Sequence, residues 1–208
     1  MSNPGSKTSY RILVIDDNSD IHEDFRKILC GDRGSASKLE ESEAIVFGDP
    51  GPLGKQSEFE VDSAHQGEEG LARVYHAIQE GRPYALAFVD VRMPPGWDGI
   101  EVTPRLWVAD PNLQIVICTA YSDYTWEEMF DRLGTSDRMY FLKKPFDRVE
   151  VLQLAHSLSE KRRVFQESTL KQKQLKQALR NQATLLLKTS EELQTEVIRL
   201  KQGDETVG

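Results

Sequence analysis

Three carboxylates, a hydroxyl and an ammonium stand at four separated places in this chain, each directly after a short apolar run. Asp16 and Asp17 follow Arg11-Ile-Leu-Val-Ile15, Asp90 follows Ala85-Leu-Ala-Phe-Val89, Thr119 follows Ile115-Val-Ile-Cys118, and Lys144 follows Met139-Tyr-Phe-Leu142 and Lys143. Gathered together, the carboxylates would repel one another: two like charges about 4 Å apart cost roughly 4 kcal/mol at an effective dielectric near 20. A cation must therefore belong to the set. Hard oxygen donors with room left for water suit Mg2+, which takes one or two protein carboxylates and keeps sites for a phosphate-bearing partner. Metal, ammonium and hydroxyl together suit a phosphoryl group, and an aspartate can be the nucleophile that accepts one. Asp90, on the expected central strand, is the candidate.

The apolar runs read as buried strands of a parallel sheet, because helical patterns lie between them. In such a sheet the functional crevice lies outside the carboxyl ends of the strands, which brings the five groups together. Ser19 or Asp20 can cap a first helix with Ile21, Phe25, Ile28 and Leu29 at helical spacing. Phe59 to Ala64 reads as the second strand, and Glu68 to Glu80 as a helix with Leu71, Val74, Tyr75 and Ile78 inward and Gly81 as C-cap. A helix after Asp98-Gly99 contains Pro104, which predicts a kink or a late start. Thr125 to Leu133 makes a fourth helix, and a fifth begins at Asp147.

The residues resemble the receiver domain of two-component response regulators over Tyr10 to Leu158. The likeness rests on Val14-Ile-Asp-Asp-Asn18, Val89-Asp-Val-Arg-Met-Pro94 followed by Asp98-Gly99, Val116-Ile-Cys-Thr-Ala120, and Phe141-Leu-Lys-Lys-Pro-Phe146, in that order. It implies an α/β fold, a doubly wound five-stranded parallel sheet of flavodoxin-like order 2-1-3-4-5. It implies that Asp90 takes a phosphoryl group from a histidine kinase or phosphotransfer protein. Mg2+ would be bound by Asp16, Asp17, Asp90 and the main-chain carbonyl of Arg92; Thr119, Ala120 and Lys144 would hold the phosphoryl group. Thr119 and Phe141 would form the switch, and Pro145 would follow Lys144 through a cis bond. Arg92 and Tyr121 stand where the family tunes phosphoryl lifetime. Two departures stand out: the spacing from Asp90 to Asp98 is one residue longer than usual, and Phe141 replaces the common hydroxylated ring. An aspartyl-phosphate phosphatase would place a second Asp two residues after its nucleophile, where this chain has Arg92, so turnover of a substrate is not expected. The competing reading is a pseudo-receiver serving only as a dimerisation module.

The chain map assigns residues 1–9 to a disordered N-terminus, 10–158 to the receiver with an insertion at about 31–58, 159–202 to a coiled-coil helix, and 203–208 to a polar tail. Leu158, Phe165, Gln172, Leu179, Leu186, Leu193 and Leu200 recur every seven residues without Pro or Gly. That repeat predicts a homodimer through a long C-terminal helix, the other reading being a helix packed on its own body. Of the formal net charge of −8, residues 159–202 hold ten basic against five acidic side chains, so the remainder sums to −13. This acidic body speaks against direct nucleic-acid binding. Two cysteines and the lack of a signal peptide or an 18-residue apolar run point to a reduced, cytoplasmic chain off the membrane. A cyclase or histidine kinase effector beyond the helix is the expected output.

Overall fold

A computed structural model describes residues 9–31, 59–120 and 126–204, with side chains over 9–31, 59–120 and 127–195. Five strands alternate with helices: β1 (Tyr10–Ile15), α1 (Ser19–Cys30), β2 (Phe59–Ala64), α2 (Gly67–Gln79), β3 (Leu86–Asp90), α3 (Gly99–Ala109), β4 (Gln114–Thr119), α4 (Trp126–Leu133), β5 (Met139–Lys143) and α5 (Arg148–Asp204). All pairings are parallel and the order is β2-β1-β3-β4-β5. This is the expected doubly wound sheet.

Successive side chains of a strand point to opposite faces, so each strand feeds two cores. Leu13, Ile15, Ala87, Val89, Ile115 and Ile117 pack with Val74, Val102 and Leu106 of α2 and α3. Ile12, Val14, Phe88, Val116 and Cys118 pack with Phe25 and Leu29 of α1 and with Val151, Ala155 and Leu158 of α5. Burial on both faces explains why these strands read as unbroken apolar runs.

Several local expectations change. The cap of α1 is Asn18, whose side chain accepts from the Asp20 N–H, so Ser19 is already helical. In α2 the inward face is Gly67, Gly70, Val74 and Ala77, whereas Tyr75 and Ile78 are exposed. The small residues decide this: a Cβ on Gly70 would lie 2.4 Å from Ile15 Cδ1, so the helix rests directly on β1. The helix ends with Gly81 N–H donating to Ile78 O and Arg82 N–H to Ala77 O, with Gly81 at φ 70°, a Schellman closure. Helix α3 starts at Gly99 and continues through Pro104 without a late start, because Asp98 and Glu101 form a reciprocal capping box.

The chain divides after Arg162, one helical turn beyond the expected limit at 158. The body holds the sheet. Residues 163–204 continue as helix, in which Phe165, Leu179, Leu186 and Leu193 are exposed. Leu158 does not belong with them: it is 3% exposed and part of the core against β1 and β2. Leu200 is helical, and its side chain lies outside the described residues. Residues 1–8, the expected insertion from 32 to 58, and Tyr121 also lie outside them.

Backbone geometry at two glycines makes a quantitative contrast. A Cβ at Gly99 would sit 2.2 Å from the carbonyl oxygen of Asp90, whereas Gly81 has open space but a positive φ. Gly99→Ala is expected to lower the unfolding free energy by about 2 kcal/mol or more, and Gly81→Ala by only about 1 kcal/mol; urea denaturation of the two variants measures both.

Candidate functional site

The parallel register sets Asp16, Asp90 and Thr119 at or just beyond the same end of neighbouring strands. Asp90 pairs with Cys118, and Thr119 with Lys143. Lys144 then reaches back across the sheet, its Nζ 2.7 Å from Asp16 Oδ2 and 2.7 Å from Asp90 Oδ1. Oxygens of Asp16, Asp17 and Asp90 lie within 4.8 Å of one another. Asp16 and Asp90 are buried, and Asp17 faces solvent.

Asp16 is fixed at every polar atom. Its N–H donates to Ala64 O, its Oδ1 accepts from Asn18 N–H, its Oδ2 meets Lys144, and its main-chain oxygen receives His22 Nε2 at 2.8 Å. A carbonyl only accepts, so His22 carries its proton on Nε2. Burial, with help from His65 and Arg26 nearby, lowers the His22 pKa and keeps the ring neutral at physiological pH. This histidine is a buried support for the acidic pair, and nothing in the sequence pattern marked it as more than helix packing.

Asp90 is held by Lys144 at one oxygen and by the Arg92 N–H at the other, 3.0 Å away. Burial raises its pKa; the Asp16 charge adds to this, and Lys144 and the Arg92 amide oppose it. For Lys144, burial acts against the ammonium, yet the hydrogen bonds and charges of Asp16 and Asp90 outweigh it and raise the pKa above the ordinary lysine value. By linkage, the stability Lys144 gains is complete below its unfolded pKa of 10.5 and is lost as pH rises through the raised folded value.

Thr119 is half-buried and its hydroxyl donates to the Ala120 carbonyl at 3.1 Å, while the Lys144 N–H donates to Thr119 O. The β4 end and the lysine are thus tied through backbone. The Lys144–Pro145 bond is cis, as is Pro94–Pro95 in the lengthened loop after Asp90. That loop is fastened by Gln66, which accepts from Gly96 N–H and donates to Pro94 O, and by Arg105 stacked 4.2 Å over Trp97. Gln66 is about thirty residues away in sequence, so no local pattern announces it. Phe141 is half-buried with its ring edge-on to Phe130, centroids 6.0 Å apart.

Three close carboxylates with one ammonium make an all-oxygen donor set that retains negative charge, which fits a hard divalent cation beside a phosphoryl group. A five-stranded parallel sheet of order 2-1-3-4-5 with an acidic crevice at its strand ends is the flavodoxin-like architecture expected of a receiver. The response regulator receiver domain model matches residues 52–156, half of the chain, and the chain belongs to that family. It is 33% identical over 145 residues to a cyclic di-GMP phosphodiesterase of Thermotoga maritima, covering 68% of this chain and 34% of that protein. It is 35% identical over 66 residues to the sporulation initiation phosphotransferase F of Bacillus subtilis, covering 32% of this chain and 50% of that one. The chain thus spans half or less of these curated relatives. Its fold is also that of an adenylate cyclase crystal structure from Rhodopirellula baltica, at 23% identity and TM-score 0.55, covering 78% of this chain and 98% of that one.

The raised Asp90 pKa means that its charge opposes folding at neutral pH. Asp90→Asn is therefore expected to raise the Tm at pH 7 without metal, an advantage that vanishes as pH falls through the raised value toward the unfolded 3.8. Thermal scans of both proteins between pH 3 and 8 test the sign.

Proposed function

We propose that this receiver accepts a phosphoryl group on Asp90 from a phosphohistidine of a partner histidine kinase or phosphotransfer protein. The observation that carries this reading is the single ammonium of Lys144 shared at 2.7 Å between Asp16 and Asp90. An Asp90 oxygen attacks phosphorus, the new O–P bond forms as the N–P bond breaks, and the electron pair leaves with the imidazole nitrogen. Burial makes this carboxylate more basic than a free one, which favours attack. Lys144 already touches Asp90 and would pair with the phosphoryl oxygens once they arrive. The Thr119 hydroxyl would exchange the Ala120 carbonyl for a phosphoryl oxygen, with the Ala120 main chain beside it.

Asp16, Asp17, Asp90 and the Arg92 carbonyl would hold Mg2+, which when bound neutralises the oxygens of the transferred group. A phosphoryl group adds a charge of about −1.5 to −2 and three acceptors. Turning Thr119 toward them would alter the packing of Phe141 against Phe130 and so change the surface formed by α4 and β5. The chemistry ends with gain and loss of one phosphoryl group.

The state would be passed to a homodimer built on Phe165, Gln172, Leu179, Leu186 and Leu193, with Leu200 completing the repeat; the described apolar members are exposed on α5. Among the described residues no helix is long and apolar enough to cross a membrane. The Thermotoga relative, most of which lies outside the match, is a phosphodiesterase of a cyclic dinucleotide. We take an effector of second-messenger class, or a histidine kinase, as the output.

Acetyl phosphate with Mg2+ is expected to add one phosphoryl mass to the wild-type chain and none to Asp90→Asn; equal labelling of the two would refute the assignment. The Arg92→Gly, Tyr121→Gly double variant should lose its phosphoryl group faster than wild type, followed by mass over time. In sedimentation the chain should be dimeric, and Leu179→Asp with Leu186→Asp should yield monomers.

A further inference from the structure

Helix α5 presents one stripe to the body, Val151, Ala155, Leu158 and Arg162, spaced 4, 3 and 4 apart. Three of these are apolar and fill the core. The fourth is a guanidinium, 4% exposed, whose Nη2 meets Asp110 Oδ2 at 2.7 Å in the turn between α3 and β4. Asp110 is itself buried and accepts the Asn112 N–H, and the Gln114 side chain donates to Asn112 O. Glu160 and Lys161 fasten the same helical turn of α5 to other strands: Glu160 accepts from the Tyr10 hydroxyl at the start of β1, and Lys161 meets Asp137 and Tyr140 at the start of β5. These partners sit at the amino-terminal edge of the sheet, opposite the acidic crevice.

The Asp110–Arg162 pair differs from the other two contacts in being buried. A buried ion pair contributes little net stability, because desolvation offsets the attraction, but losing one partner leaves a stranded charge. Moreover Arg162 Nη1, Ser159 Oγ and Gln114 Oε1 are buried and have no hydrogen-bond partner among the described residues. An apolar residue at position 162 would have continued the stripe without this cost. The polar cluster is therefore a weakly favourable closure at the point where the body ends.

We propose that the Asp110–Arg162 pair is a releasable clasp that holds the last turn of the body's share of α5 in place, and that phosphorylation of Asp90 opens it. The second half rests on the acceptor reading above. Its connection is structural: Tyr140, bonded by Lys161, adjoins Phe141 on β5, and Asp110 leads into β4, which ends at Thr119.

Hydrogen–deuterium exchange of the full chain over residues 158–166 tests this. Asp110→Asn should accelerate exchange there by about tenfold or more while leaving β1 and β3 amides at wild-type rates. Acetyl phosphate with Mg2+ should accelerate the same segment in wild type and add nothing in Asp110→Asn. Wild-type exchange in Asp110→Asn, or an unchanged segment in wild type that has gained a phosphoryl mass, would overturn the proposal. Absence of that mass gain would instead refute the acceptor reading and with it the phosphorylation dependence. If the stranded arginine unfolds Asp110→Asn altogether, Asp110→Asn with Arg162→Ala, which removes the stranded charge without supplying an apolar side chain to the stripe, should keep β3 protected and the 158–166 segment fast; full protection of that segment would count against the clasp.

Discussion

Two carboxylates at the ends of adjacent strands share one lysine, and the electrostatics of the whole crevice follow from that contact. Asp16, Asp17, Asp90 and Lys144 carry a formal charge of −2 among four groups, with Asp16 and Asp90 buried. Such a cluster is tolerated only because the two apolar cores on either face of the sheet fix the strand ends and leave the charges no room to part. The lysine satisfies one oxygen of each buried carboxylate, and backbone amides at Asn18 and Arg92 satisfy the other. The remaining negative charge suits the crevice to the divalent cation proposed for it.

The support beneath the crevice is as specific as the crevice. His22 holds the main chain of Asp16 from below, and Gly99 lets the first turn of α3 press against the carbonyl of Asp90. Both contacts immobilise backbone next to a buried carboxylate, so the crevice is held by packing that carries no charge of its own. Beside it Thr119 turns its hydroxyl to the Ala120 carbonyl, and Phe141 packs on the core with its ring edge-on to Phe130. In the proposed switch the fixed acids would bind, and the hydroxyl and the ring would move.

Sequence reasoning reached the strands and the site because both obey strong local rules. Central parallel strands must be apolar on both faces, and polar side chains that end such strands are drawn to one edge, which points to Asp16 and Asp90; the choice of Lys144 over Lys143 rests on the family resemblance, in which the lysine stands directly before a proline. Helix faces were less legible. Tyr75 and Ile78 have the right spacing for burial, but Gly67 and Gly70 allow a closer approach and rotate the helix onto its small residues. Leu158 fits a seven-residue repeat and also a body-facing stripe with Val151 and Ala155, and periodicity cannot distinguish the two. The roles of Gln66 and Arg162 depend on partners roughly thirty and fifty residues away, beyond any local pattern.

The long stretch between α1 and β2 bears on the same point. The family model begins at residue 52, so the acidic pair at 16 and 17 falls outside the matched region, although the sheet places β1 between β2 and β3 with unbroken register on both sides. Lengthening a connection costs little entropy, each doubling adding only about 0.6 kcal/mol. Against that stands burial of Ile12, Leu13, Val14 and Ile15 at the centre of the sheet, worth about 1.5–3 kcal/mol for each side chain. The interior strand is therefore retained whatever the length of the segment that follows it, and with the strand comes the carboxylate of Asp16 that Lys144 needs.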